Sequence, residues 1–251
     1  MTSNPNLSFL PFQSIENTFS DMVQNNELTV QSFRGYGANH IKTMGYSPDA
    51  YVQQAIQLAT FRLFGKQCAT YESTQVRPFL QGRTETTRSV TPASSAFVSR
   101  MGLLPLQESD VIEVKKLLLR EAAKSHVEYI SNAARALGVD RHFLGLAMLV
   151  GADEDAPALF SDDLFLRSKR WVVSTSTLPV VPGFGPVVED GVGVAYDVQA
   201  NSCIFTITCR RERKYSEALA HQLEVALLEM KGLHPEVTDA GGTTATPKSR
   251  L

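Results

Sequence analysis

Tryptophan occurs once in this chain and cysteine only three times, at Cys68, Cys203 and Cys209. An odd, widely spaced set of thiols suits free cysteines in a reducing compartment better than a disulfide framework, and it offers no zinc-ligand spacing. Net charge is nearly absent as well: 24 Lys and Arg against 26 Asp and Glu leave -2 at pH 7, so no global field draws the protein to nucleic acid or an anionic membrane. Long apolar runs are missing. The most apolar stretch, residues 143–152, is about half of the ~20 residues a membrane span requires, and it is predicted to be a buried helix instead. The opening MTSNPNLSFLPF has neither a basic segment leading into an apolar one nor an Arg-rich, acid-poor bias, so no secretory or transit leader is expected. Internal repeats are lacking too. The glycines of 183–193 lie between predicted strands rather than opening a helix, which excludes a Rossmann or Walker phosphate loop.

What is present is a chain of 251 residues, 43% hydrophobic and 20% charged, the balance of a soluble globular protein of one large or two small domains that buries roughly 70% of its unfolded surface without staples. Ser47 as a cap, Pro48 at the first helical position, Asp49 at the positive end of the dipole, and Tyr51, Ile56, Ala59, Leu63 and Phe64 at helical spacing predict a helix over 47–65. A second helix over 109–137 has Ser109 as its cap and Val111, Val114, Leu118 and Ala122 as its apolar stripe; Asp140 caps a short apolar helix to residue 150. An amphipathic helix over 215–231 turns Leu219, Leu223, Ala226, Leu227 and Met230 inward and stops at Gly232. Alternation and β-branched residues predict strands over 28–33, 171–176, 193–197 and 203–209. Helices, then a block of strands, then a closing helix describe mixed α/β or α+β layer packing. From residue 236 onward the sequence is small, polar and Gly/Thr-rich, which predicts a flexible tail. It ends in Ser249-Arg250-Leu251, a conservative variant of the Ser-Lys-Leu address read by the peroxisomal import receptor, with mitochondrion or cytoplasm as the alternative.

Chemistry concentrates in ATYESTQVRPFLQGRTETTRS, residues 69–89. On an extended segment Tyr71 and Ser73 share a face and Glu72 takes the other; Arg83, Thr84, Thr86 and Arg88 continue the alternation. Hydroxyls and guanidinium forks so arranged can line a pocket for a carboxylate or phosphate. Spacing alone favours the plainer alternative, a solvated loop whose arginines pair with Glu72 and Glu85. In Ser174-Thr175-Ser176, Ser174 and Ser176 share a strand face. Such a pair is most often surface hydroxyl, but one of the two can bind a substrate while the other stabilises an oxyanion, a contribution of roughly 3 kcal/mol in a dry site.

Together these segments resemble one family, the carnitine/choline acyltransferases. TYES and GRTETTRS resemble its carnitine-site segment, DRHFLGL (140–146) its Arg-bearing helix, STS (174–176) its signature triplet, and GFGPVVEDGVGVAY (183–196) the strand pair that follows. The resemblance implies an α/β fold of the two-layer chloramphenicol acetyltransferase type, a mixed sheet packed by helices, of which residues 1–235 would be the C-terminal portion and incomplete relative to the family. It implies reversible transfer of a short or medium acyl group between coenzyme A and L-carnitine, without a metal or a permanently bound cofactor, coenzyme A being a co-substrate.

By the same resemblance Arg141 holds the carnitine carboxylate with hydroxyls from Tyr71 and Thr84, and Ser73 completes the polar wall. The trimethylammonium group sits near Phe184 and Ser174, Ser176 donates to the oxyanion, and Lys42 and Asp49 meet coenzyme A. Choline-specific members replace the Thr and Arg that meet the carboxylate, so the presence of Thr84, Thr86 and Arg141 points to carnitine over choline. Val127, Ala38 and Thr177 depart from residues the family often carries for coenzyme A or after the triplet. The family's proton-abstracting His lies upstream of the portion represented, and none of His40, His126, His142, His221 and His234 falls in a matching segment; His142 is expected to be packed in the core. The resemblance leaves two roles: half of a working enzyme, the other half upstream or associating in trans, or a non-catalytic remnant. A soluble binding module unrelated to the family is the third.

Overall fold

The computed structural model describes residues 12–102, 109–151, 153–177, 183–235 and 237. In chain order the elements are α1 (Phe12–Asn25), β1 (Asn26–Phe33), α2 (Ala38–Thr43), α3 (Pro48–Phe64), β2 (Thr70–Gln75), β3 (Thr84–Arg88), α4 (Pro92–Met101), α5 (Ser109–Ala134), α6 (Asp140–Met148), α7 (Asp163–Ser168), β4 (Val173–Thr177), β5 (Val192–Val198), β6 (Cys203–Arg210) and α8 (Tyr215–Gly232). The strands make one mixed sheet in the order β1-β6-β5-β4-β2-β3. β2, β4 and β5 run parallel at its centre, and β3, β6 and β1 add to it antiparallel. The chain is therefore an α/β fold, a mixed sheet packed by helices.

Strand alternation separates the two faces of this sheet. One face carries Val173, Val192, Val194, Tyr196, Cys203, Phe205, Ile207 and Cys209, all buried against a core that includes Tyr51, Ile56, Leu58, Leu219, Leu223 and Leu227 from α3 and α8. A two-pronged ion pair joins those helices: Arg62 donates to both carboxylate oxygens of Glu229, at 3.0 and 2.7 Å. The opposite face carries Tyr71, Ser73, Thr84, Thr86, Arg88, Ser174 and Ser176, the hydroxyl-rich set that sequence alternation predicts.

Local chemistry explains the element ends. Ser47 accepts from Ala50 N at 3.5 Å to start α3, Pro48 opens it, and Gly65 closes it at φ 68, a left-handed position that glycine takes without strain. Along α8 the five predicted inward residues are all buried. Other expectations change. Asp140 does not cap α6: Val139 precedes the helix and makes no side-chain cap. Residues 143–152 do not form a buried helix, since α6 buries no residue and Leu144, Met148 and Leu149 are exposed; an apolar stretch states what prefers burial, not what covers it. On α5 the buried stripe runs through Leu119, Ala122, Ala123 and His126, and Val114 is exposed. The Ser109 cap and the Val111 side chain lie outside the described residues, as do Ser249-Arg250-Leu251 and the tail apart from Val237, whose N–H donates to the His234 carbonyl at 3.0 Å. Val173 begins the strand expected from 171, and 183–191 is not a strand, so the expected pair over 183–196 is reduced to β5. Among the described residues no helix is long and apolar enough to cross a membrane.

Candidate functional site

The segment predicted most readily as a solvated loop is a β-hairpin. β2 and β3 pair with Tyr71 opposite Arg88, Ser73 opposite Thr86 and Gln75 opposite Thr84. β4 lies on the other side of β2, with Ser174 opposite Tyr71. Arg88 does not pair with Glu72 or Glu85: it donates to Asp140. Where the ends of β2, β3 and β4 meet α3 and α5 there is a cleft of about 900 Å³, with Ser73, Thr84, Ser176, Asp49, Glu72 and Ser131 among its walls.

Five of the expected residues come together on the open face. Arg141, from the first turn of α6, donates through Nε to the Thr84 carbonyl at 2.9 Å, and its Nη2 approaches the Tyr71 hydroxyl at 3.4 Å and Thr84 Oγ1 at 3.5 Å. Ser73 and Ser176 share a hydrogen bond of 2.8 Å between their hydroxyls. Arg141 is exposed, and the contacts of its guanidinium are with Thr84 and Tyr71 on the open face. Glu85, buried beneath β3, accepts from the backbone N–H of Arg141 at 3.3 Å and anchors the start of α6. Gly138 permits this, because a Cβ there would meet Glu85 Cγ at 2.4 Å.

Ser174 is buried one strand position from this group. Its cross-strand neighbour is Gly193, and a Cβ on Gly193 would meet the Phe184 carbonyl at 2.5 Å. Phe184 therefore lies over β5 beside Ser174, its carbonyl accepting from the Thr208 hydroxyl. Lys42 stands apart, exposed in the last turn of α2. His142 is exposed rather than packed in the core, with Phe143 as its ring neighbour at 6.0 Å; α6 meets β3 only at its start and leaves the next side chain in water.

Beneath the cleft lies a buried polar cluster that sequence alone did not reveal. His126 Nε2 from α5 stands 3.1 Å from Glu72 Oε2 and 3.5 Å from Asp49 Oδ2. The Tyr196 hydroxyl donates to Asp49 Oδ1 at 2.6 Å, and Thr177 donates to the same oxygen at 3.0 Å. Gln53 donates to Thr175 and to the Tyr196 hydroxyl, both at 2.9 Å. Burial lowers the pKa of His126, but the two carboxylates outweigh it and bring the imidazole to about 9. Burial raises Glu72, whereas for Asp49 the bonds from His126 and Tyr196 outweigh burial and lower it. The ligand atoms of Asp49, Glu72 and His126 are within 4.8 Å of one another, close enough to share a cation; the protonated imidazole supplies that charge itself. The one legible sign was Glu72, an acid on the inward face of a strand of threonines. No His lines the cleft, although His126 touches two residues that do.

Hydroxyls and guanidinium groups are thus displayed together on the open face of a mixed sheet. The sequence model described as Choline/Carnitine o-acyltransferase matches residues 11–225, and the chain belongs to that family. The mitochondrial carnitine O-acetyltransferase of Saccharomyces cerevisiae is 42% identical over 73% of this chain and 28% of its own length. A choline O-acetyltransferase of Sus scrofa is 36% identical over 84% of this chain and 34% of its own. Among solved structures a chloramphenicol acetyltransferase aligns over 84% of this chain and 94% of that one, with 10% identity and a TM-score of 0.38. The chain thus spans about a third of the length of the curated relatives it matches.

Proposed function

We propose that this chain supplies the carnitine-binding and oxyanion wall of an acyltransferase working between coenzyme A and L-carnitine. The observation that carries the reading is Arg141 held within reach of both Tyr71 and Thr84, at 3.4 and 3.5 Å, on the face that also presents the Ser73–Ser176 pair. A carboxylate accepts charge-assisted hydrogen bonds from a guanidinium and hydroxyls at once, whereas a neutral hydroxyl such as choline's leaves the fork unsatisfied. Phe184 and Ser174 border the place where the trimethylammonium group would rest, a cation that an aromatic face favours by ~1 kcal/mol. Coenzyme A would approach along the cleft past Asp49, with Lys42 toward its phosphates.

In the reaction the carnitine hydroxyl attacks the thioester carbonyl, a tetrahedral intermediate forms, and the coenzyme A thiolate leaves and takes up a proton. Ser176, already bonded to Ser73, donates to the oxyanion as charge develops. The base that removes the hydroxyl proton comes from outside this chain, a reading supported by the absence of His from the cleft wall. The second reading, a remnant that binds carnitine without turnover, draws on that same observation.

Calorimetry of the chain with L-carnitine and with choline tests the binding. The chain is expected to prefer carnitine, and Arg141→Met is expected to remove about 1.5–3 kcal/mol from carnitine binding while leaving choline unaffected. Equal or absent binding of both ligands by the unsubstituted chain overturns the reading.

A further inference from the structure

Arg88 ends β3 directly across from Tyr71, outside the residues assigned to substrate above. Its guanidinium has three engagements. Nε and Nη2 donate to the two carboxylate oxygens of Asp140 at 2.9 and 2.7 Å, Nη1 donates to the Ser168 carbonyl at 2.9 Å, and the guanidinium carbon lies 4.7 Å from the centroid of the Trp171 ring. Two of the three lead back to the proposed carboxylate receptacle. Asp140 precedes Arg141 at the start of α6, and its side chain is only 7% exposed. The Trp171 ring lies 5.7 Å from that of Tyr71. A single cation therefore restrains the element that carries Arg141 and the ring against which Tyr71 rests.

Both oxygens of the Asp140 carboxylate accept from Arg88, so the start of α6 is pinned to β3 at the residue before Arg141. We propose that Arg88 is a positioning residue for carboxylate recognition: it fixes the spacing of Arg141 and Tyr71. This rests on the carnitine reading above.

The test compares L-carnitine and choline affinities, by calorimetry on the full chain, for the unsubstituted protein, Arg88→Met, Arg88→Lys and the double variant Arg88→Met with Asp140→Asn. Arg88→Met is expected to weaken carnitine about tenfold or more, with choline unchanged, because α6 and the Trp171 ring lose their restraint and Arg141 no longer stands at a fixed distance from Tyr71. The double variant is expected to lose no more than Arg88→Met alone, since Asp140 acts through Arg88. A residue that merely held the fold together would weaken both ligands alike. Should Arg88→Met fail to fold, Arg88→Lys keeps a charge beside Asp140 but loses the fork and the flat stacking surface, and a smaller drop in the carnitine-to-choline ratio is expected. An unchanged ratio in whichever Arg88 variant folds, in a chain that itself prefers carnitine, overturns the role of Arg88 alone. A chain with no preference overturns the carnitine reading and the role of Arg88 with it.

Discussion

His126 sits between two carboxylates where water does not reach, and its charge ties α5 to β2 and to the start of α3. Its pKa rises on folding, from the ordinary 6.5 to about 9. A basic group raised in this way stabilises the fold fully below about pH 6.5, and that stabilisation is lost as the pH climbs through about 9. His126→Gln is therefore expected to lower stability by about 3 kcal/mol near pH 6, because the buried Glu72 and the half-buried Asp49 then face each other without a counter-charge. The difference between the two proteins should shrink toward pH 9.5. Urea unfolding of both at the two pH values measures it, and a difference independent of pH contradicts the assignment of charge to His126. The contrast with Tyr71, Ser73, Ser174 and Ser176 shows what sequence conveys at this scale. The two-residue period of a strand fixes which hydroxyls share a face once the strand is granted. No such period places His126, whose partners come from two other elements far away in the chain.

At the scale of elements, the close approach of the segment around Phe184 to β5 depends on a missing side chain. Gly193 has the Phe184 carbonyl and Thr208 Oγ1 at 2.5 and 2.7 Å from the position its Cβ would take. Gly193→Ala is expected to push that segment off the strand at a cost of about 1–3 kcal/mol. The loss is read as a lower urea midpoint, and crosslinking or fluorescence at position 184 reports the displacement. An alanine variant as stable as the parent would show that Phe184 does not lie on β5. Elements with a self-contained signal were legible: the cap, proline and glycine that delimit α3, the inward stripe of α8 and the β-branched run of β6 each carry their own evidence. α6 did not, because Leu144, Leu146 and Met148 would look the same under a covering layer, and here they are 51%, 43% and 77% exposed. The β2–β3 hairpin was ambiguous for another reason. Its charged residues suit a solvated loop until Asp140 and His126 arrive as partners from elsewhere in the chain.

At the scale of the whole molecule, the helices that build the core lie on one face of the sheet, and the chemistry is displayed on the other. Leu28 and Val30 of β1 are 57% and 58% exposed, on the same side as the hydroxyls of β2 and β4. A hydroxyl such as Ser176 stabilises developing charge strongly only where water is excluded, so a site with one wall loses most of the roughly 3 kcal/mol that an enclosed oxyanion donor contributes. No histidine is part of it either: His40, His126, His142, His221 and His234 all lie outside the cleft walls. The purified 251-residue chain is accordingly expected to show no transfer from acetyl coenzyme A to carnitine above the uncatalysed background. Supplying the preceding portion of a carnitine O-acetyltransferase as a separate polypeptide separates the two roles left open above. Transfer that appears only in the mixture, and disappears with Ser176→Ala in this chain, marks half of a working enzyme. No rescue in a mixture whose partner is folded marks a remnant. Turnover by this chain alone that vanishes on replacing one of its own histidines would mean that the base is here after all, and that the one-walled site is wrong.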